Sequence, residues 1–173
     1  MGVYIIDYNA GTPGAIDAPD RRASNMQYVF DAETGSWNNP TPIYWKDSET
    51  PVDIYGYYPG VDHIDDPTDY RFEVSYKQNV IPSDGSMSAY EASDFMWAKV
   101  AGAEPTDNVI ILNYAHKMAG VNVSLVKGSG MEDSEWSAAE KTVQIDNVVR
   151  YAAIDLSDGV PVPYGEVDKS ILM

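Results

Sequence analysis

His63 and His116 are the two histidines of the chain, which contains no cysteine. Thiol nucleophiles, disulfides and cysteine metal clusters are therefore excluded. His63 sits in Asp62-His63-Ile64-Asp65-Asp66-Pro67-Thr68-Asp69, where four aspartates fall within eight residues. Oxygen ligands at that density suit calcium, but a calcium loop needs alternate ligands, a glycine at the bend and a closing glutamate. The spacing fails and Pro67 interrupts it, so the segment reads as a solvated loop and not a metal site. His116 lies in Asn113-Tyr114-Ala115-His116-Lys117-Met118-Ala119-Gly120, between two apolar stretches. A catalytic histidine needs a nucleophile and an orienting carboxylate. No Gly-x-Ser-x-Gly elbow is present, and His116 reads as a structural or edge-strand histidine.

The other chemical signatures are equally thin. Gly128-Ser129-Gly130 lacks the lysine and third glycine of a phosphate-cradling loop. Asn122-Val123-Ser124 fits the glycosylation pattern but falls in the middle of an expected strand. Among 27 carboxylates, no spacing selects a sugar-cleaving pair, and excess surface acid serves solubility. The reading is of a protein that is not an enzyme, with no catalytic residue, cofactor or metal. One binding chemistry stays open. Thirteen tyrosines and four tryptophans could offer flat faces to sugar rings. Trp37, Trp45 and the Tyr55, Tyr57, Tyr58 group are the candidates, against the alternative that such residues are core or cross-strand pairs.

The elements that must position these residues are strands. A chain of 173 residues suits one ordinary domain and buries roughly 70% of its unfolded surface without staples. With 44% hydrophobic residues it is too apolar for disorder. A net charge of −16 repels phosphate backbones and anionic lipid, which disfavours nucleic-acid binding. No apolar run approaches the ~20 residues of a membrane span, and Met1-Gly2 leads straight into a strand-like run with no signal peptide.

Period-two patterning marks strands at 3–8, 26–30, 52–58, 71–76, 109–114, 121–126, 143–145 and 151–156. Thr12–Ser24 reads as an exposed loop, Asp31–Gly35 as a hairpin turn into Ser36-Trp37, and Pro42–Trp45 as a further short apolar stretch. Phe72, Val74 and Tyr76 are expected on one face. Ser88–Val100 and Glu132–Lys141 can each supply a turn or two of helix. About seven to nine short strands between Gly, Pro, Asn and Asp turns predict an all-β fold, an antiparallel two-sheet sandwich with little helix.

Several stretches, in order, resemble the Bacteroidetes fimbrillin-like family. Ile43-Tyr44-Trp45-Lys46-Asp47 through Pro51-Val52-Asp53-Ile54-Tyr55-Gly56-Tyr57-Tyr58-Pro59 is similar to its tryptophan-to-Tyr-Tyr-Pro signature. Ala92-Ser93-Asp94-Phe95-Met96-Trp97-Ala98 resembles its Ser-Asp-Leu-Met segment, and Ile110–Val126, with Tyr114–Ala119, its histidine-bearing strand pair. Gly2-Val3-Tyr4 and Asp155-Leu156-Ser157-Asp158-Gly159 fall in the family's usual order. The resemblance implies a transthyretin-like, Greek-key sandwich and a structural subunit or tip adhesin of bacterial fimbriae. It implies an exported lipoprotein precursor at the cell surface, anchored to the outer membrane. Partners would be other fimbrial subunits, joined by strand complementation, and surface glycans or proteins. It makes His116 structural. Arg21-Arg22 follows the first strand, which is not where the family's proteolytic cut belongs. The chain starts inside a strand and stops on Ile171-Leu172-Met173. The expectation is a trimmed N-terminal domain over 1–160, with 161–173 a tail or the start of a linker to a second domain.

Overall fold

The computed structural model describes residues 1–106, 109–167 and 170–173. In chain order the strands are β1 (Gly2–Asn9), β2 (Thr12–Pro13), β3 (Ala23–Gln27), β4 (Val29–Asp31), β5 (Ser36–Asn38), β6 (Val52–Tyr58), β7 (Tyr70–Glu73), β8 (Met96–Ala103), β9 (Ala115–His116), β10 (Gln144–Ile145), β11 (Tyr151–Asp155), β12 (Val160–Tyr164) and β13 (Ile171–Leu172). The helices are α1 (Ala89–Ala92), between β7 and β8, and α2 (Asp133–Ala138), between β9 and β10. The protein is all-β with little helix, and every pairing between named strands is antiparallel.

The main sheet runs β2-β1-β6-β8-β9, with β3 also on β1; β12-β11-β7 form a second sheet, and β4-β5 and β10-β13 form ribbons. β1 and β6 are apolar almost throughout because both faces of this sheet are covered, the condition that turns alternation into a continuous apolar run. On one face Tyr4, Ile6, Tyr55 and Tyr57 join Phe72, Phe95, Ile154 and Leu156, so the two larger sheets share one core. On the other, Val3, Val52 and Ile54 gather Ile5, Tyr28, Trp45, Val100, Ile110 and Leu112.

Asp53 is the charged residue of β6, and it is 1% exposed. The β6–β8 register shifts between Val52 and Ile54, and Gly102 takes φ +61° there, which glycine adopts without Cβ strain. This irregularity aims the Gly102 amide at Asp53 at 2.8 Å. The hydroxyls of Tyr8 and Tyr55 donate to the same carboxylate at 3.0 Å each, and Lys99 Nζ stands 3.1 Å away. Burial alone pushes Asp53 up, but the Gly102 amide, Lys99, Tyr55 and Tyr8 outweigh it and hold the carboxyl below its ordinary value.

Several expectations are corrected. The strands expected at 109–114 and 121–126 are absent as strands: within 109–126 only Ala115 and His116 pair, and Val121, Val123 and Leu125 are exposed. Alternation signals a face, whereas a strand also needs a bonded neighbour. Thr12–Ser24 is no free loop: β2 returns onto β1, and Ile16 and Ala23 are buried. The strand expected at 26–30 divides at Tyr28, whose amide bonds Met1, because β3 and β4 have different partners. The stretch 42–45 forms no strand. β7 stops at Glu73, so Tyr76 does not share a strand face with Phe72 and is 41% exposed. The 31–35 hairpin and the two helical turns form where expected. Within 161–173, residues 168 and 169 lie outside the described residues, and the remainder supplies most of β12 and all of β13.

Candidate functional site

The second face of the main sheet is incompletely roofed, leaving a groove of about 630 Å³. Its floor is Val3 and Ile5 of β1 with Val52 and Ile54 of β6. One wall is the stretch Ile43, Tyr44 and Trp45, and the other is Val109, Ile110, Leu112 and Tyr114. Tyr28 and Trp37 complete the rim. The first wall is held to the stretch that follows β8, since Trp45 Nε1 donates to the Thr106 carbonyl at 3.2 Å. The first wall is tied to the floor by Arg22, which forks onto Asp7 at 2.8 and 2.6 Å and donates to the Tyr44 carbonyl at 3.0 Å. Its charge is thereby matched by Asp7, and the groove is an apolar, aromatic space.

Trp37 and Trp45 thus come to one groove, in different settings. Trp37 rides on the β4–β5 hairpin, 41% exposed, with its ring centroid 5.4 Å from Phe30 and edge-on to Tyr58 at 6.2 Å. Trp45 is half-buried against the apolar floor. Tyr55 and Tyr57, expected among stacking candidates, are excluded by burial at 5% and 1%, because odd-numbered residues of β6 face the shared core. The sequence reading missed Tyr28, Tyr44 and Tyr114. A signal for the last existed: a Cβ on Gly56 would lie 2.3 Å from the Tyr114 hydroxyl, so the glycine in an otherwise bulky strand admits that ring. Burial pushes the Tyr114 phenol up to about 12.

Beside the groove the sheet has an open edge. β9 covers only Met96 and Trp97 of β8. From Ala98 to Ala103 no strand is bonded to the outer side of β8 among the described residues. The second sheet ends differently. β12 reads Val-Pro-Val-Pro-Tyr, and Pro161 and Pro163 have no N–H to offer an incoming strand.

The remaining candidates lie apart. His116 is on β9, the last strand of its sheet, with Nδ1 at 2.9 and 2.8 Å from the two Asp94 carboxylate oxygens. His63 faces Asp65 at 2.8 Å with both side chains largely in solvent. In the same loop Asp66 accepts from the Thr68 hydroxyl and amide, which hold its carboxyl below the ordinary range. Among the described residues, no three His, Cys, Asp or Glu side chains gather as a metal site. Arg21 lies over the Tyr4 ring at 5.7 Å and donates to the Ile16 and Ala18 carbonyls.

The sequence pattern of the fimbrillin-like proteins matches residues 1–172. The crystal structure of a candidate cell adhesion protein from Bacteroides uniformis superposes with a TM-score of 0.66 at 22% identity, over 99% of this chain and 62% of that one. The chain therefore spans 62% of that protein, and the likeness establishes a shared fold. No curated protein matches it. Among the described residues, no helix is long and apolar enough to cross a membrane.

Proposed function

Since the chain belongs to the fimbrillin-like family, we propose that it is a structural subunit or tip adhesin of bacterial fimbriae that joins its neighbours by strand addition at the free edge of β8. Membership of the family supports the fimbrial and adhesive role and a surface-exposed setting. The observation that carries the finer reading is the contrast between two edges: among the described residues no strand is bonded to the outer side of β8 beyond Trp97, while β12 carries prolines. An unpaired edge is a template for another chain's strand, and main-chain hydrogen bonds supply the adhesion. The same reading takes 1–160 as an N-terminal-type sandwich domain of transthyretin-like topology. Support comes from the core shared between the two larger sheets. Residues 161–173 then lead toward a second domain after contributing to β12 and β13. An exported lipoprotein anchored to the outer membrane completes the proposal.

The test copies the proline device of β12 onto β8. Ala101→Pro, or Ala101→Lys where the proline disturbs the fold, should stop incorporation into fimbriae while thermal unfolding shifts by only a few degrees. Undiminished incorporation of either folded variant removes β8 as the joining edge.

A second reading has its own observation, the convergence of Trp37 and Trp45 on one groove. Exposed indole faces stack on the apolar faces of sugar rings, which favours a surface glycan as ligand. Tryptophan fluorescence against a panel of oligosaccharides tests it. Trp37→Ala should abolish any saturable change, and a flat response across the panel removes glycan binding.

A further inference from the structure

A strand-patterned segment lies next to the free part of β8 without being bonded to it. Residues 109–114 alternate between exposed and half-buried. Val109 and Ile111 are 88% and 68% exposed, whereas Ile110 and Leu112 pack on the Val3–Val52–Ile54 cluster. The segment continues into β9, which is bonded. There Met96 faces His116, Trp97 faces Ala115, and the Lys117 amide donates to the Phe95 carbonyl at 2.8 Å. In an antiparallel ladder one strand counts up as the other counts down. Carried forward, this register sets Ala98 against Tyr114, Lys99 against Asn113 and Val100 against Leu112.

The side chains already agree with it. Opposed residues share a face, and Val100 and Leu112 belong to one cluster. Tyr114 reaches Gly56, the residue that pairs with Ala98 across β6 and β8.

We infer that 109–114 is a strap that closes onto the free edge of β8 in this register, filling from within the chain the edge that a neighbour's strand requires. The inference rests on the proposed strand addition at β8 and concerns its regulation. Closure adds the pair of hydrogen bonds that Lys99 and Asn113 exchange, since bonded pairs alternate and Phe95–Lys117 is one of them. An incoming strand must displace the strap, so the edge is capped against indiscriminate association until a competing strand arrives.

The test is a cross-link in the full chain. Val100→Cys with Leu112→Cys makes a non-hydrogen-bonded pair, with Cα atoms about 4.5 Å apart when the ladder closes, inside the disulfide range. Val100→Cys with Ile111→Cys is the control, because Ile111 faces the other way. The first pair should oxidise much faster than the control, and in the unaltered chain the Lys99 and Asn113 amides should exchange slowly with deuterium. Equal oxidation of both pairs, or of neither, with fast exchange at Asn113 overturns the strap. These readouts are made on a single chain, so they stand or fall independently of strand addition between subunits. Incorporation into fimbriae should be lost on cross-linking and restored on reduction. Incorporation that continues through the cross-link overturns the gating. Failure of the unaltered chain to incorporate counts instead against the function proposed above, with the strap decided by the cross-link alone.

Discussion

Asp53 stands in a strand whose other members are Val52, Ile54, Tyr55, Gly56, Tyr57 and Tyr58. A buried carboxylate is tolerated only when its hydrogen-bonding capacity is filled. Lys99 is the cationic member of its circle, and burial, which lowers it, is outweighed by Asp53 and Tyr55, which raise it. Lys99→Met should cost about 2–3 kcal/mol in urea unfolding, below the full value for breaking a buried pair because three hydrogen bonds to Asp53 persist. The sign of the pH dependence follows from the two directions. Asp53, depressed below 3.8, contributes stability that is present above that value and lost as pH falls through its folded pKa. Lys99, raised above 10.5, contributes stability that is present below that value and lost as pH rises through its folded pKa. Melting temperature against pH should therefore be level between these limits, and Asp53→Asn should make the acid decline shallower. An unchanged acid arm would show that other carboxylates govern it.

At the scale of elements, Gly56 and the 109–114 segment belong together. Gly56→Ala would put a methyl 2.3 Å from the Tyr114 hydroxyl and 3.3 Å from Leu112. The ring must leave the sheet face, and we expect a drop of about 1–3 kcal/mol, the usual cost of overpacking, with loss of near-ultraviolet circular dichroism. A variant as stable as the parent would mean that the wall is only loosely seated. The same two elements mark the limits of reading this fold from sequence. β6 was legible residue for residue, because a β-branched and aromatic run ending at Pro59 has few alternatives. β1, the β4–β5 hairpin and the turn of helix after Ser88 were legible for similar reasons, and the structure adds a Ser88–Glu91 capping box that the sequence reading did not use. Residues 109–114 and 121–126 have equally good alternation and no ladder, since pairing depends on a neighbour that local pattern does not specify. The groove was half legible. Trp37 and Trp45 stood out by type, but that they meet depends on Arg22 and Thr106 pinning loops from distant parts of the chain.

At the scale of the whole molecule, charge decides how copies approach. The chain carries −16, yet 109–131 contains no carboxylate and holds Lys117 and Lys127. Two copies repel over most of their surface, and the strap and its sequel are where that repulsion is weakest. Self-association should strengthen as salt rises from about 10 mM to 150 mM, because screening shortens the range of like-charge repulsion from roughly 30 to 8 Å. Sedimentation velocity across that range would show it, and weakening with salt would point to ion pairs between subunits.

The buried carboxylate of β6 also bears on what happens when such a molecule is pulled. Sliding β6 along β1 and β8 by one position would turn every side chain of that strand over. Asp53 would then leave its four donors and enter the greasy floor beside Val3 and Ile5. A purely aliphatic strand could creep under tension at small penalty. This one carries a notch, so the sheet should hold its seating under shear until it gives way all at once.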